Sequence, residues 1–161
     1  MNAVNVAERS RNPFLRSSRG GRVLSALMLP GFTARPPAGF GVLTTTGRRT
    51  QKTRRKCIRA VRRGDRAYVV SIRSSAWLKN VQADPNVRLR IRGGTFSGVV
   101  RELHEPAERQ EALDAYCATV FPFDYAECAM WRKGRPKRAK IAELHRGWFD
   151  RGTALVVDLR E

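Results

Sequence analysis

Positive charge is concentrated between residues 47 and 63, where nine of seventeen residues are Lys or Arg and none is acidic. Placed between two strands, a loop of this composition offers guanidinium forks and backbone N–H groups to phosphate or carboxylate oxygens. Arg48, Arg49, Lys52, Arg54 and Lys56 are the candidates for that role. On composition alone, a nucleic-acid backbone fits the run as well as an anionic cofactor does, and so does a solvated surface. Further along, Trp77 and Asn80 stand three residues apart, which on a helix puts them on one face. The pair combines a flat apolar surface with an amide that both donates and accepts, although a Trp at this place also reads as ordinary core. Tyr125, closing the segment FPFDY, offers a phenol that either donates to a substrate or packs as an aromatic.

No Ser-His-Asp arrangement, carboxylate pair, P-loop or G-x-G-x-x-G is present, so redox or group-transfer chemistry would have to come from a cofactor. His104 and His145 lie far apart, and Cys57, Cys117 and Cys128 form no C-x-x-C, so no metal centre is expected and the thiols read as reduced. A formal charge of +18 calls for a polyanionic partner: nucleic acid, an acidic membrane surface or a cofactor. No apolar run approaches the length of a membrane span. The segment VLSALML at 23–29 is too short and ends in Pro30-Gly31 without a small-x-small site, so it is no leader peptide. A surface helix lying on acidic lipid stays open, and the expected compartment is the cytoplasm.

The elements that must position these residues follow from periodicity and turn chemistry. A weak helical pattern over 13–29 is interrupted by Gly20-Gly21, and an irregular Pro/Gly-rich connection follows. Strands are expected at 42–46, 56–62 and 67–72, then a short helix capped by Ser75 and stopped by Pro85. In NVRLRIR, at 86–92, Val87, Leu89 and Ile91 face one side and Arg88, Arg90 and Arg92 the other. Gly93-Gly94 turns this strand into 95–103. Glu105-Pro106 opens a helix, one long basic helical segment spans about 125–148, and a strand at 153–159 follows. Short strands joined by tight turns imply an α+β protein with a mainly antiparallel sheet, not a Rossmann domain. The chain reads as a single domain, with 1–40 as an N-terminal extension and 41–161 as the body.

Taken together, LTTTGRRTQKTRRKCI, AYVVSI and AWLKNVQADPNVRLRI resemble the deazaflavin-dependent nitroreductase family over about 42–125, with the strand at 153–159 in addition. The pairing of T-x-G-R with W-x-x-N-x-x-A-x-P-x-V carries the likeness. The resemblance implies a split β-barrel of FMN-binding type with an N-terminal helix and flanking helices. It also implies an oxidoreductase that passes a hydride from reduced coenzyme F-420 to a quinone, nitro compound or activated alkene. By position it assigns the cofactor's phosphate to Arg48, Arg49, Thr50 and Arg54, with backbone from Arg55, Lys56, Cys57 and Ile58. Ser71, Ile72 and Arg73 would line the deazaflavin, Trp77 and Asn80 would lie beside it, and Tyr125 would serve the acceptor. Gln51 stands where the family has a second Gly, only Arg73-Ser74-Ser75-Ala76 precedes the Trp, and the basic stretch 132–146 lies outside the pattern. A monomer or homodimer acting on a small molecule is expected. The alternatives are a split barrel that holds FMN, a lipid or a fatty acid without catalysis, and a nucleic-acid-binding protein. The last rests on charge alone, without an interleaved aromatic surface or a reading helix.

Overall fold

The computed structural model describes residues 18–72 and 75–160, as seven strands and five helices. Helix α1 (Ser18–Ala34) leads into β1 (Phe40–Thr46). It runs through Gly20-Gly21 and Pro30, where the sequence suggests an interruption and an end. Its last turn brings Phe32 edge-on to Phe40 and Phe123, with ring centroids 6.1 and 5.4 Å away, and this packing offsets the hydrogen bond that proline removes. The expected helical residues 13–17 lie outside the described residues.

Strands β2 (Thr53–Arg59), β3 (Val61–Arg63) and β4 (Arg66–Ser71) follow. The single strand expected at 56–62 is therefore two. Arg59, Ala60 and Val61 are buried in succession, which a straight pleated strand cannot do, and Ala60 N–H makes the last rung of the β1–β2 ladder, donating to Gly39 O at 2.9 Å. Helix α2 (Ala76–Ala83) starts where expected, with Ser75 Oγ accepting from Leu78 N–H. In β5 (Asn86–Ile91), Val87, Leu89 and Ile91 point into the core as their alternation requires, and β6 (Gly94–Glu102) returns beside it. Helix α3 (Pro106–Ala118) is capped by the Glu105 carboxylate, which accepts from Ala107 N–H at 2.9 Å. The expected continuous basic helix is two, α4 (Pro122–Trp131) and α5 (Arg138–Arg151), broken where Gly134 takes φ 82° and Pro136 follows. Strand β7 (Thr153–Arg160) enters the sheet centrally.

All pairings are antiparallel, in the order β2-β1-β5-β6-β7-β4-β3. The two outer strands, β2 and β3, are consecutive in the chain and meet at Ala60, so the sheet curls until its edges are neighbours. That is a split β-barrel, and its interior is filled by Leu43, Val69, Leu89, Val100, Leu155 and Val157. Outside, α1 covers Phe40 and Val42, while α3 and α5 cover Tyr68 and Val156. Between these strips the outer face around Thr44 of β1, Arg88 of β5 and Ser97 of β6 carries no helix among the described residues.

Candidate functional site

The β1–β2 connection is a tight turn built on few atoms. Gly47 N–H donates to Lys52 O at 2.9 Å, and Gln51 N–H donates back to Gly47 O at 2.7 Å. Closing it puts Gln51 at φ 54°, the left-handed region that glycine enters freely and other residues avoid. The position where the family has glycine thus keeps a glycine's backbone with a Gln side chain. Thr50 Oγ1 accepts from Lys52 N–H and Arg54 Nη2, both at 3.4 Å. Across the turn, buried Asn80 is the joint. Its Oδ1 accepts from Arg48 N–H at 3.3 Å and Arg48 Nη1 at 3.4 Å, and its Nδ2 donates to Thr45 Oγ1 at 3.3 Å. Asn80 is 5% exposed, so it anchors the loop to α2 and presents little surface to a ligand. The start of α2 is tied to β4 in turn, through Ser71 Oγ and Ser75 Oγ at 3.1 Å.

Strand register divides the expected binding run between two faces. Because Gly47 and Lys52 form a hydrogen-bonded pair, so do Thr45 and Arg54, Leu43 and Lys56, and Gly41 and Ile58. Arg54, Lys56 and Ile58 therefore share the interior-facing side with Thr45 and Leu43, and their N–H groups are used by β1. Arg55 and Cys57 turn to the outer face. Cys57 N–H donates to Ser25 Oγ at 3.1 Å and its thiol to Ser25 O at 3.6 Å, so Cys57 fastens α1 to the sheet. Burial pushes the Cys57 thiol up and the Lys56 ammonium down. Of the four backbone N–H groups assigned to phosphate, the alternation leaves only that of Arg55 pointing away from β1 without such a partner.

The other expected residues separate as well. Trp77 is half-buried and packs against the interior cluster, as Ile58 also does. Ile72 packs instead with Cys128, Ile141, Leu144 and Trp148 beneath α4 and α5, so it serves the core there. Arg73 lies outside the described residues. Tyr125 is 41% exposed on α4. Its neighbour Asp124 pairs with Arg59 at 3.1 Å, six residues along β2 from Thr53, which is roughly 20 Å of strand from the turn.

Charge at the turn is uncompensated. Arg48, Arg49, Arg54 and Arg55 have no carboxylate partner among the described residues, whereas Arg66 and Arg101 share Glu108 and Asp158. The register also reveals a feature that the sequence reading missed. Arg55, Thr44, Arg88, Ser97 and Arg160 form one row across five strands of the bare outer face. An open groove of about 420 Å³ runs along it, lined in part by Thr44, Thr46, Thr53, Arg88, Ser97 and Arg160. Its only sequence signal is the alternating arginines of β5, which need the pairing register to meet Arg55 and Arg160.

The profile of the F-420H(2)-dependent quinone reductase family matches residues 31–135, more than half of the chain. Among solved structures, an F-420-H2 dependent reductase is 20% identical, with 74% of this chain and 93% of that one covered at a TM-score of 0.51. A domain-swapped dimer is 19% identical over 86% and 93%, at a TM-score of 0.52. A heme binding protein from Mycobacterium smegmatis is 13% identical over 80% and 48%, again at 0.52. At these identities the three structures speak for the fold, which is the split barrel described above. No curated protein matches the sequence.

Proposed function

From the premise that this chain belongs to the F-420H(2)-dependent quinone reductase family, and so is a deazaflavin-dependent oxidoreductase using coenzyme F-420, we propose that its acceptor is a quinone, a nitro compound or an activated alkene. The observation that carries the site assignment is the Gly47–Lys52 turn, which holds a left-handed Gln51 and is surrounded by arginines without carboxylate partners. Such a turn suits a phosphodiester. Arg48, Arg49 and Arg54 would supply charge-assisted donors, Thr50 a hydroxyl and Arg55 a backbone N–H at the strand edge. Asn80 acts one step back, by holding Arg48 and the turn in place before any ligand arrives.

The coenzyme's acidic tail needs cations beyond the phosphate, and the groove below the turn has them in Arg88 and Arg160, beside Arg55. When bound, the deazaflavin supplies the hydride. The chain's own tasks are to fix the ring, keep water away and deliver a proton to the acceptor. Trp77 offers the ring an apolar edge and Ser71 meets the start of the same helix, while Arg73, which the resemblance also assigns to the ring, lies outside the described residues. Tyr125 is assigned to the acceptor and not to the phosphate, because it stands a strand's length from the turn. These residues fall in 41–161, with 1–40 as an extension. Val23 and Leu27, 48% and 76% exposed on α1, are where contact with a lipid surface would fall if the acceptor is membrane-borne.

Direct titration of the purified chain with coenzyme F-420 and with FMN tests this reading. We expect F-420 to bind more tightly, with affinity falling as salt rises and weakening, without vanishing, when the glutamate tail is removed. Equal affinity for the two cofactors would refute the cofactor site.

A further inference from the structure

Away from the turn, beneath α4 and α5, lies a second polar cluster that hydride transfer does not use. Asp124 and Glu127 are one helical turn apart on α4, and His145 faces them from α5. One potential ligand atom from each residue lies within 4.8 Å of the others, and His145 Nε2 is 3.6 Å from Asp124 Oδ1. His145 is 0% exposed, yet neither ring nitrogen has a hydrogen-bond partner, and Glu127 Oε2 is likewise buried without one. Three unsatisfied polar atoms in one place are costly, since each buried group without a partner forfeits about 1–3 kcal/mol. Among the described residues no other buried side-chain nitrogen or oxygen lacks a partner, so the deficit is local.

We propose that Asp124, Glu127 and His145 bind a divalent transition-metal ion that ties α4 to α5. One imidazole and two carboxylates form the borderline N/O donor set of zinc, manganese, iron or cobalt, not the all-oxygen shell of magnesium or calcium. Metal–ligand bonds of about 2.0–2.2 Å place neighbouring ligand atoms roughly 3–3.5 Å apart, so the side chains must draw together by about 1 Å. Arg59 does not stand in the ion's place. Its Nε and Nη2 hold Asp124 at 3.1 and 3.4 Å, and Nη1 and Nη2 are also committed to Tyr116 O and Thr119 O at 3.0 and 2.8 Å. It therefore fixes the Asp124 carboxylate, as supporting donors do around metal ligands, while the unpartnered atoms of Glu127 and His145 stay free to bind the ion. Its charge opposes a cation. Against that single guanidinium stand two carboxyl groups, Asp124 and Glu127, and metal entry displaces any proton they carry.

The test uses the full chain, stripped with chelator and dialysed against zinc, with magnesium in parallel. We expect one zinc retained per chain, a higher Tm with zinc and no change with magnesium. Glu127→Gln and His145→Gln, chosen to keep side-chain volume, should each weaken zinc binding by more than roughly tenfold, while His104→Ala on the exposed surface leaves it unchanged. Cobalt in the wild-type chain adds a readout that needs no variant: weak visible bands of N/O coordination without thiolate charge transfer. Failure to retain zinc would mean that Glu127 and His145 merely share a proton, and would overturn the proposal. So would thiolate absorption, which points to Cys128, or binding that survives both substitutions.

Discussion

Gln51 offers a sharp test, because its backbone and its side chain ask for different residues. At φ 54° an L-residue pays about 1–2 kcal/mol relative to the right-handed region. Glycine escapes that penalty but gives back roughly 0.5–1 kcal/mol in extra chain entropy. The side chain adds little: its Nε2 donates to Arg48 O at 3.5 Å in solvent, worth at most about 0.5 kcal/mol. Gln51→Gly should therefore stabilise the chain by about 0.5 kcal/mol, and Gln51→Ala should leave it nearly unchanged. A β-branched residue crowds the left-handed region further, so Gln51→Val should cost about 1.5 kcal/mol. The spread between Gly and Val, about 2 kcal/mol, corresponds to roughly 4–8 °C in Tm for a chain of this length. Thermal melts of the three cofactor-free variants beside the parent give the order directly. Equal melting of Gly and Val, or a more stable Val, would refute the left-handed turn and with it the phosphate cradle.

Three further outcomes follow from the site. Arg54→Ala should weaken coenzyme F-420 binding by about 1.5–3 kcal/mol, whereas Arg138→Ala on α5 should barely change it; equal losses in the same titration would mean that diffuse charge does the binding. Asn80→Ala removes the acceptor for Arg48 and the donor to Thr45, and should cost about 1–3 kcal/mol of stability together with weaker cofactor binding. Asn80→Asp, which keeps an acceptor for Arg48, should retain more of that binding, and a larger loss for Asp than for Ala would discard the anchoring role. Trp77→Phe keeps most of the apolar area against the interior cluster and should lower Tm only slightly while changing cofactor affinity or turnover; about 1 kcal/mol of lost stability with unchanged binding and rate would return Trp77 to the core.

Much of the fold is written in local signals. Val87, Leu89 and Ile91 alternate with arginines and form a strand; Ser75 and Pro85 bracket a helix; Glu105-Pro106 opens another. The division at Ala60 was not legible, because the mixed run from Lys56 to Arg62 keeps its apparent alternation through a point where three successive residues are buried. Arg59 misled for the same reason. In sequence it is one more cation of a basic run, and in the fold it is 6% exposed against Asp124. The basic turn itself stood out by composition and by the family's Gly position. What joins it to the body did not, since Arg48 and Asn80 are 32 residues apart and meet only through the tertiary fold. Cys57 and Ile72 were placed at the site by sequence position alone, and register and packing draw both away.

Strand β7 lies between β6 and β4, and among the described residues no other strand joins those two halves. A nascent chain that has emerged only as far as α5 can hold β2-β1-β5-β6 and β4-β3 as two pieces linked through Ala60, each showing one more unpaired edge than in the finished barrel to the crowded space around the ribosome. Barrel closure therefore waits for residues 153–160 and arrives as a single late event. During synthesis the exposed flanks of β4 and β6 are the surfaces that a chaperone would have to shield. A pause in translation anywhere between 103 and 152 would lengthen the interval in which they are open to foreign strands.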